Sequence, residues 1–378
     1  MNPKLKILLT GGGTGGHIYP LVAVANEIYR LAADQKRDIE IRYFGPASSL
    51  NKEFESRGIR AEEIISSKLR RYFSLNNFID IPRFIISFFQ ALFKIFWFMP
   101  DVVFSKGGPG ALAVILASRF YRIPILIHES DTVPGLTNAF SARFAKKIFI
   151  AFERAAQYFP SEKVVLAGNP IRADILRDVP DRETAIKTLG FNPAEPLILV
   201  IGGSQGAQKI NNFILDNLEA ILDSVQVIHQ SGPANFSEAK KEADFMLKTL
   251  GDFYKTRYQL VGYLEDVKAI KEVFSAADLV LSRAGSGAIF EIAAFGKPAI
   301  LIPLEDAAND HQKINAYEYA QTGAAIVLEE GNFKPSIFIS QAQKILTDKE
   351  LQNKMSQAAR NFAKPEAAQK IAEEILNF

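Results

Sequence analysis

The 378-residue chain contains no cysteine, which excludes disulfides, thiolate nucleophiles, Cys-ligated zinc and iron–sulfur clusters. Histidine is scarce: His17, His128, His229 and His311 are widely spread, and no two stand at metal-ligand spacing. A P-loop would need Gly-Lys-Ser/Thr, which is absent. There is no Lys/Arg run interleaved with aromatics, so nucleic acid is not an expected partner. No charged and apolar leader precedes the strand-like run Leu5–Leu9, so no signal peptide is expected and the chain reads as cytosolic. What is present is globular: 48% hydrophobic and 23% charged residues, in a length suited to two domains. The net charge of +2 is unevenly spread, with 22 Lys and Arg against 14 Asp and Glu in residues 1–170. The first half therefore suits something anionic, a membrane surface or a phosphate-bearing ligand.

Short apolar runs alternate with helical patterns, as in βαβ units with parallel sheets. Strands are expected at Lys6–Thr10, Glu40–Phe44, Asp101–Ser105, Ile123–His128 and Lys147–Ala151. A second set is expected at Leu197–Gly202, Gln226–Gln230, Tyr258–Val261, Asp278–Ser282, Ala299–Ile302 and Ala325–Leu328. The two sets repeat one another. Leu5–Gly13 resembles Leu197–Ser204, Asp101–Ala111 resembles Asp278–Ala288, and Pro124–Ile127 resembles Pro298–Leu301, at offsets of 191, 177 and 174 residues. Two tandem Rossmann-like α/β domains account for this, spanning 1–166 and 167–363, with a linker near Ala167–Arg172. A helix at about 364–378 can pack back on the first domain. The domains are expected to face each other across a cleft with glycine loops on both walls.

A loop between strand and helix offers free N–H groups at a positive helix end, where glycine lets the backbone approach a phosphate closely. Gly11-Gly12-Gly13-Thr14-Gly15-Gly16 fits G-x-G-x-x-G, but the second strand ends Arg-Tyr-Phe-Gly rather than in the acidic residue of an NAD site. Four such loops on two domains suit a diphosphate-bearing donor and a second phosphorylated ligand.

Several blocks in order carry a family resemblance. They are Gly12–Pro20, His128-Glu129 with Pro134–Asn138, Gly168–Arg172, Gly202–Ala207, Ser282–Gly285, Glu291–Ala294, and His311-Gln312 with Asn315-Ala316. As a set they resemble the MurG family: inverting N-acetylglucosaminyltransferases of GT-B fold, in glycosyltransferase family 28, that make lipid II. The resemblance implies UDP-N-acetylglucosamine as donor and undecaprenyl-diphospho-N-acetylmuramoyl-pentapeptide, lipid I, as acceptor, with transfer to the 4-hydroxyl of the muramoyl sugar. It also implies a peripheral protein at the cytoplasmic face of the bacterial membrane, serving cell-wall synthesis, shape and division.

Residue by residue, the resemblance implies that Ser204 and neighbouring N–H groups hold the donor diphosphate while Arg172 adds positive charge as UDP leaves. Leu264 would present its backbone to uracil. Ser286, Gly287, Ala288, Ile289, Phe290 and Glu291 would form the nucleoside wall, with the Glu291 carboxylate accepting both ribose hydroxyls. Gln312, helped by His311, would read sugar hydroxyls, and Thr14, Gly15, Gly16 and Asp131 belong to the donor side. Gly12, Gly13, Gly107 and Gly108 would cradle the acceptor diphosphate. His17, at the start of the first helix, is either the general base for the attacking hydroxyl or a residue that shapes the loop. Asp131 stands where relatives commonly carry Asn, and it can accept but not donate there. His311 replaces a common glutamine. There is no Asp-x-Asp motif, so neither metal nor cofactor is expected, the phosphate charge being met by N–H dipoles and Arg172. Alternative readings are a GT-B enzyme on another lipid acceptor, a UDP-sugar epimerase, and a non-catalytic membrane scaffold that binds nucleotide-sugar.

Between Arg83 and Met99 the polar residues Arg83, Ser87, Gln90 and Lys94 are spaced to fall on one helical stripe. Phe84–Met99 is 16 residues, short of the ~20 needed to span a bilayer. A helix over 82–99 is expected to touch an anionic membrane surface through Ile86, Phe89 and Phe93 at the exposed edge of that stripe. Lys68, Arg70, Arg71, Arg83 and Lys94 would form a basic rim. The alternative is a wholly buried core helix.

Overall fold

The computed structural model describes residues 4–66, 77–203, 206–305 and 307–378, the side chains of 77–79 and of Ala308 excepted. The chain forms two units. One runs to Arg172 and includes Lys364–Phe378; the other is Ala173–Ala363.

The first unit holds β1 (Leu5–Thr10), β2 (Ile39–Gly45), β3 (Arg60–Glu63), β4 (Val102–Ser105), β5 (Ile125–Glu129), β6 (Lys147–Ile150) and β7 (Val164–Leu166). They form one sheet in the order β3-β2-β1-β4-β5-β6-β7, every pair parallel. Ile/Leu/Val runs suit a sheet covered on both faces. On one face the helix Gly15–Asp34 packs Ile18, Leu21, Val22 and Ile28 against Leu5, Ile7 and Leu9. The helix Ala367–Leu376 inserts Ala368, Ile371, Ala372 and Ile375 into the same core. Their spacing of three, one and three places them on one helical face. Gly168, with φ +90°, permits this return: a Cβ there would lie 2.3 Å from the Cβ of Lys364. The first unit extends to Arg172, beyond a boundary at 166, because Ala167 and Gly168 still donate to the carbonyl of Ile150.

The other face is covered by the helices Asn77–Phe98 and Ala111–Phe120. The first of these is turned opposite to its polar stripe. Ser87, Ala91, Ile95 and Phe98 are buried. Gln90 accepts from the N–H of Ile65 at 3.0 Å and donates to the carbonyl of Glu63 at 2.9 Å, while Lys94 pairs with Glu62 at 2.7 Å. The polar side chains thus serve β3 and its continuation, whose edge backbone groups need partners. The apolar side chains face outward: Ile86 is 55% exposed, Phe89 64%, Phe93 66% and Trp97 70%. Lys94 is therefore committed to Glu62 and not to a basic rim; Lys68, Arg70 and Arg71 lie outside the described residues.

The second unit holds β8 (Leu197–Ile201), β9 (Gln226–Gln230), β10 (Tyr258–Val261), β11 (Leu279–Ser282), β12 (Ala299–Leu301) and β13 (Ala325–Val327). Their order, β10-β9-β8-β11-β12-β13, is again all parallel and repeats the first six strands of the other sheet. In this doubly wound order the strands stay parallel but the order in which they are added across the sheet reverses between β1 and β4, and between β8 and β11, which is where ligands bind. The four glycine loops follow those four strands.

Candidate active site

In the first unit, β1 leads into Gly11-Gly12-Gly13-Thr14 and the helix that begins at Gly15. His17 lies one turn into that helix, its Nδ1 2.8 Å from Oγ1 of Thr14. From β4 comes Lys106-Gly107-Gly108-Pro109-Gly110, in which Gly107, Gly108 and Gly110 have φ of +73°, +88° and +89°. The two loops close on His17. A Cβ on Gly12 would stand 2.9 Å from its Nδ1, and one on Gly108 2.7 Å from its Nε2. Both positions must be glycine for the imidazole to fit, and the N–H of Lys106 on the carbonyl of Thr10, 2.9 Å, ties the loops at their roots. Burial, then the charge of Lys106, lower the His17 pKa to about 4, against a smaller opposing effect of Asp131. The imidazole is uncharged near neutral pH.

The end of β5 builds the neighbouring wall. Glu129 is buried and accepts from the N–H of Asp131 at 3.0 Å, the N–H of Gly135 at 3.1 Å and Nδ2 of Asn138 at 3.0 Å. It ties the loop that carries Asp131, and burial followed by the Asp131 charge raises its pKa. His128 Nε2 meets the carbonyl of Gly168 at 2.9 Å, and burial holds its pKa well below the usual imidazole range. Arg172 lies over the ring of Tyr19, 5.9 Å from its centre, two residues beyond His17. Gly12, Thr14, His17, Gly108 and Asp131 thus share one polar centre. Sequence reasoning passed over a member of it, Lys106, which is 3% exposed with a pKa lowered to about 8 by burial. Its one sequence signal is a cation where a strand meets a glycine loop, matched in the repeat by Arg283.

In the second unit, Gly203 and Gly206 have φ of +83° and +79°, and a Cβ on Gly206 would come within 2.4 Å of the Ser231 carbonyl. Ser204 lies outside the described residues. After β11, Gly285 caps the helix Ser286–Ala294, whose first N–H free of the helix ladder is that of Ser286. Ile289 already donates to Gly285, so Ser286, Gly287 and Ala288 are the available donors. The Ser286 hydroxyl is buried and finds no partner among the described residues. Two expected wall residues are corrected: the side chains of Ile289 and Phe290 point into the core, Phe290 against Phe362 with ring centres 5.1 Å apart. Glu291, one position on, is half-buried. The N–H of Leu264 donates to Oε1 of Gln230 at 3.1 Å, so the backbone expected to meet uracil is held by a strand-end side chain. Gln312 accepts from the N–H of Leu304 at 3.2 Å, bracing the loop after β12. His311 follows Asn309 and Asp310, two non-glycine residues in left-handed conformation with φ of +56° and +51°. His229 bridges Tyr258 at 2.8 Å and Asn211 at 2.9 Å in the core and has a structural role. Among the described residues no group of His, Asp and Glu is placed to hold a metal ion.

Comparisons with known proteins agree with this topology. The family model for the glycosyltransferase family 28 N-terminal domain matches residues 7–150, and that for the C-terminal domain matches residues 197–374. A UDP-N-acetylglucosamine–N-acetylmuramyl-(pentapeptide) pyrophosphoryl-undecaprenol N-acetylglucosamine transferase 2 of Bacillus cereus (strain ATCC 10987 / NRS 248) is 35% identical over 372 residues, 98% of this chain and 99% of the relative. The corresponding transferase of Clostridium tetani (strain Massachusetts / E88) is 33% identical over 349 residues, 92% of this chain and 91% of the relative. The crystal structure of Acinetobacter baumannii MurG superimposes with a TM-score of 0.74 at 27% identity, covering 100% of both chains. A UDP-GlcNAc 2-epimerase from Neisseria meningitidis shares the fold, with a TM-score of 0.68 at 16% identity over 99% of this chain and 100% of that one. Two Rossmann-like domains, each matched by its own family model and both spanned by these relatives, have the GT-B fold, and the chain belongs to the MurG family within glycosyltransferase family 28.

Proposed function

We propose that the protein transfers N-acetylglucosamine from UDP-N-acetylglucosamine to the 4-hydroxyl of the muramoyl sugar of lipid I, giving lipid II for peptidoglycan. The observation that carries the reading is an uncharged His17 clamped between two glycine loops, in a chain whose full-length relatives are transferases of this kind. The first unit takes the acceptor: its diphosphate lies on the turns of Gly12, Gly13, Gly107 and Gly108, of which Gly107 lends a close backbone approach rather than its N–H, already given to Oγ of Ser105 at 3.0 Å. In the tautomer that carries its proton on Nδ1, facing Oγ1 of Thr14, His17 offers Nε2 to the attacking hydroxyl. As the oxygen–C1 bond forms with inversion, the hydroxyl proton passes to Nε2. The C1–phosphate bond breaks and its electron pair leaves with UDP. The departing charge is met by Arg172, by the loop containing Ser204, and by the N–H groups of Ser286, Gly287 and Ala288. Glu291 accepts the ribose hydroxyls, Leu264 meets uracil, and Gln312 with His311 reads the sugar. Thr14, Gly15, Gly16 and Asp131 complete the donor side.

We further propose that the protein works as a peripheral protein at the cytoplasmic face of the membrane. Asp80–Phe98 is long and apolar enough to cross a membrane, yet one face of it is committed to the domain core. A helix held in this way lies on an anionic bilayer through Ile86, Phe89 and Phe93 rather than through it. Release of UDP from UDP-N-acetylglucosamine, measured with and without a lipid I analogue, tests the activity. Release only with the acceptor is expected. Release without acceptor favours a hydrolase, conversion to another UDP-sugar without net UDP release favours an epimerase, and no release removes the transferase reading.

A further inference from the structure

Lys106 and Arg283 occupy the same place in the two sheets, the first residue beyond β4 and β11, and their charges are satisfied in opposite ways. Arg283 is buried and engaged, with Glu330 at 2.5 Å and the carbonyl of Ile302 at 3.1 Å. Lys106 is at least as buried, and its ammonium makes no hydrogen bond or ion pair with the described residues. The carboxylates of Glu129 and Asp131 act on it only at longer range, and Glu129 already accepts three N–H groups. A buried charge is normally paired, because desolvation without a counter-ion is costly. Here the surroundings are made for an anion. The Cβ of Lys106 is 3.4 Å from where a Cβ on Gly11 would lie, and the ammonium acts on His17, which sits between Gly12 and Gly108.

We propose that Lys106 is a substrate-binding residue of the first domain, its ammonium the counter-charge for a diphosphate diester lying on the Gly12–Gly13 and Gly107–Gly108 turns. The proposal rests on the reading that this domain takes the diphosphate-linked acceptor. It adds a consequence. An anion paired with Lys106 cancels the positive charge that suppresses His17 and places negative charge beside it, so the imidazole becomes more basic when acceptor is bound. The base is thereby readied by the substrate whose proton it takes.

The test compares wild type, Lys106→Met and Lys106→Arg as full chains, using UDP release with a diphosphate lipid I analogue, UDP affinity and thermal unfolding. Loss of a charge-assisted contact predicts an acceptor KM raised roughly 10- to 100-fold in the Met variant, with UDP affinity changed less than about twofold. Lys106→Arg should recover part of the loss. Removing an unpaired buried charge should also leave Tm unchanged or higher, which a structural lysine would not do. An unchanged acceptor KM overturns the proposal, and so does a lowered Tm with acceptor and donor constants shifting together. Absence of acceptor-dependent release from the wild type is a separate result: it overturns the acceptor reading and this proposal with it.

Discussion

Replacing Ile86, Phe89 and Phe93 together by serine should detach the protein from membranes without unfolding it. These side chains are 55%, 64% and 66% exposed, so most of their apolar surface is already in water and contributes little to the core. A large aromatic side chain presents ~150–250 Å². The three together therefore expose on the order of 300 Å², worth ~7 kcal/mol at ~25 cal/mol per Å² if all of it left water. A helix resting at the headgroup boundary buries only part of that face. The expected loss is about 3–4 kcal/mol, or ~10²–10³-fold in partitioning. Serine has nearly the helix propensity of phenylalanine and isoleucine, so the helix should persist. Gln90 and Lys94 would still hold it to β3. The assay is sedimentation with vesicles containing phosphatidylglycerol, with UDP affinity and near-ultraviolet circular dichroism as controls. Loss of sedimentation with both controls unchanged is expected. Undiminished sedimentation would place the contact elsewhere, and an unfolded variant would show that these residues support the core.

Glu291→Gln should raise the KM for UDP-N-acetylglucosamine roughly 10- to 150-fold, the value of about 1.5–3 kcal/mol for a hydrogen bond to a charged group, and an unchanged KM would remove the ribose contact. His17→Ala should lower kcat by ~10²–10⁴-fold, with loss of the acidic limb of the pH profile; a loss below about tenfold would leave His17 only a loop-shaping role. Burial lowers the His229 pKa to about 4, against about 6.5 in the unfolded chain, so the unfolded chain gains a proton first as pH falls. Stability from this group is complete above pH ~6.5 and is lost toward pH ~4, by roughly 3 kcal/mol. Urea unfolding of wild type at pH 7 and pH 5 should show the fall, and His229→Gln should show a smaller one; equal falls would refute the assignment.

The parts of this fold that were legible in the sequence are those whose signal is local. β1, β4, β8 and β11 are apolar runs that lead into glycine within three residues, and the runs repeat at near-constant offsets, so both reversal points of the sheets could be located from residue order. The strand β3 could not. Arg60-Ala61-Glu62-Glu63 has no apolar alternation, and it is extended because β2 and Gln90 complete its hydrogen bonds, which only the tertiary fold supplies. The helix Asn77–Phe98 makes the same point. Period 3.6 correctly gathers Ser87, Gln90 and Lys94 on one stripe, but periodicity is silent about which stripe faces the protein. Habit assigns the polar face to water, and here it faces an edge strand.

The candidate site divides along the same line. Glycine requirements were readable because the turns themselves demand positive φ, as Gly107 and Gly108 do. Side chains reached through a run of consecutive residues were not: in Ser286–Glu291 a helix turns about 100° per residue, so Ile289 and Phe290 must enter the core if Ser286 stays near the helix mouth. Lys106 was hidden for a further reason. Its importance lies in lacking a partner, and the difference from Arg283 is made by Glu330, some 47 residues downstream of Arg283 and without a counterpart beside Lys106 among the described residues. A repeat can show that two loops descend from one design. Only packing shows that one of them has its charge answered within the fold, while the other is left to be answered by what it binds.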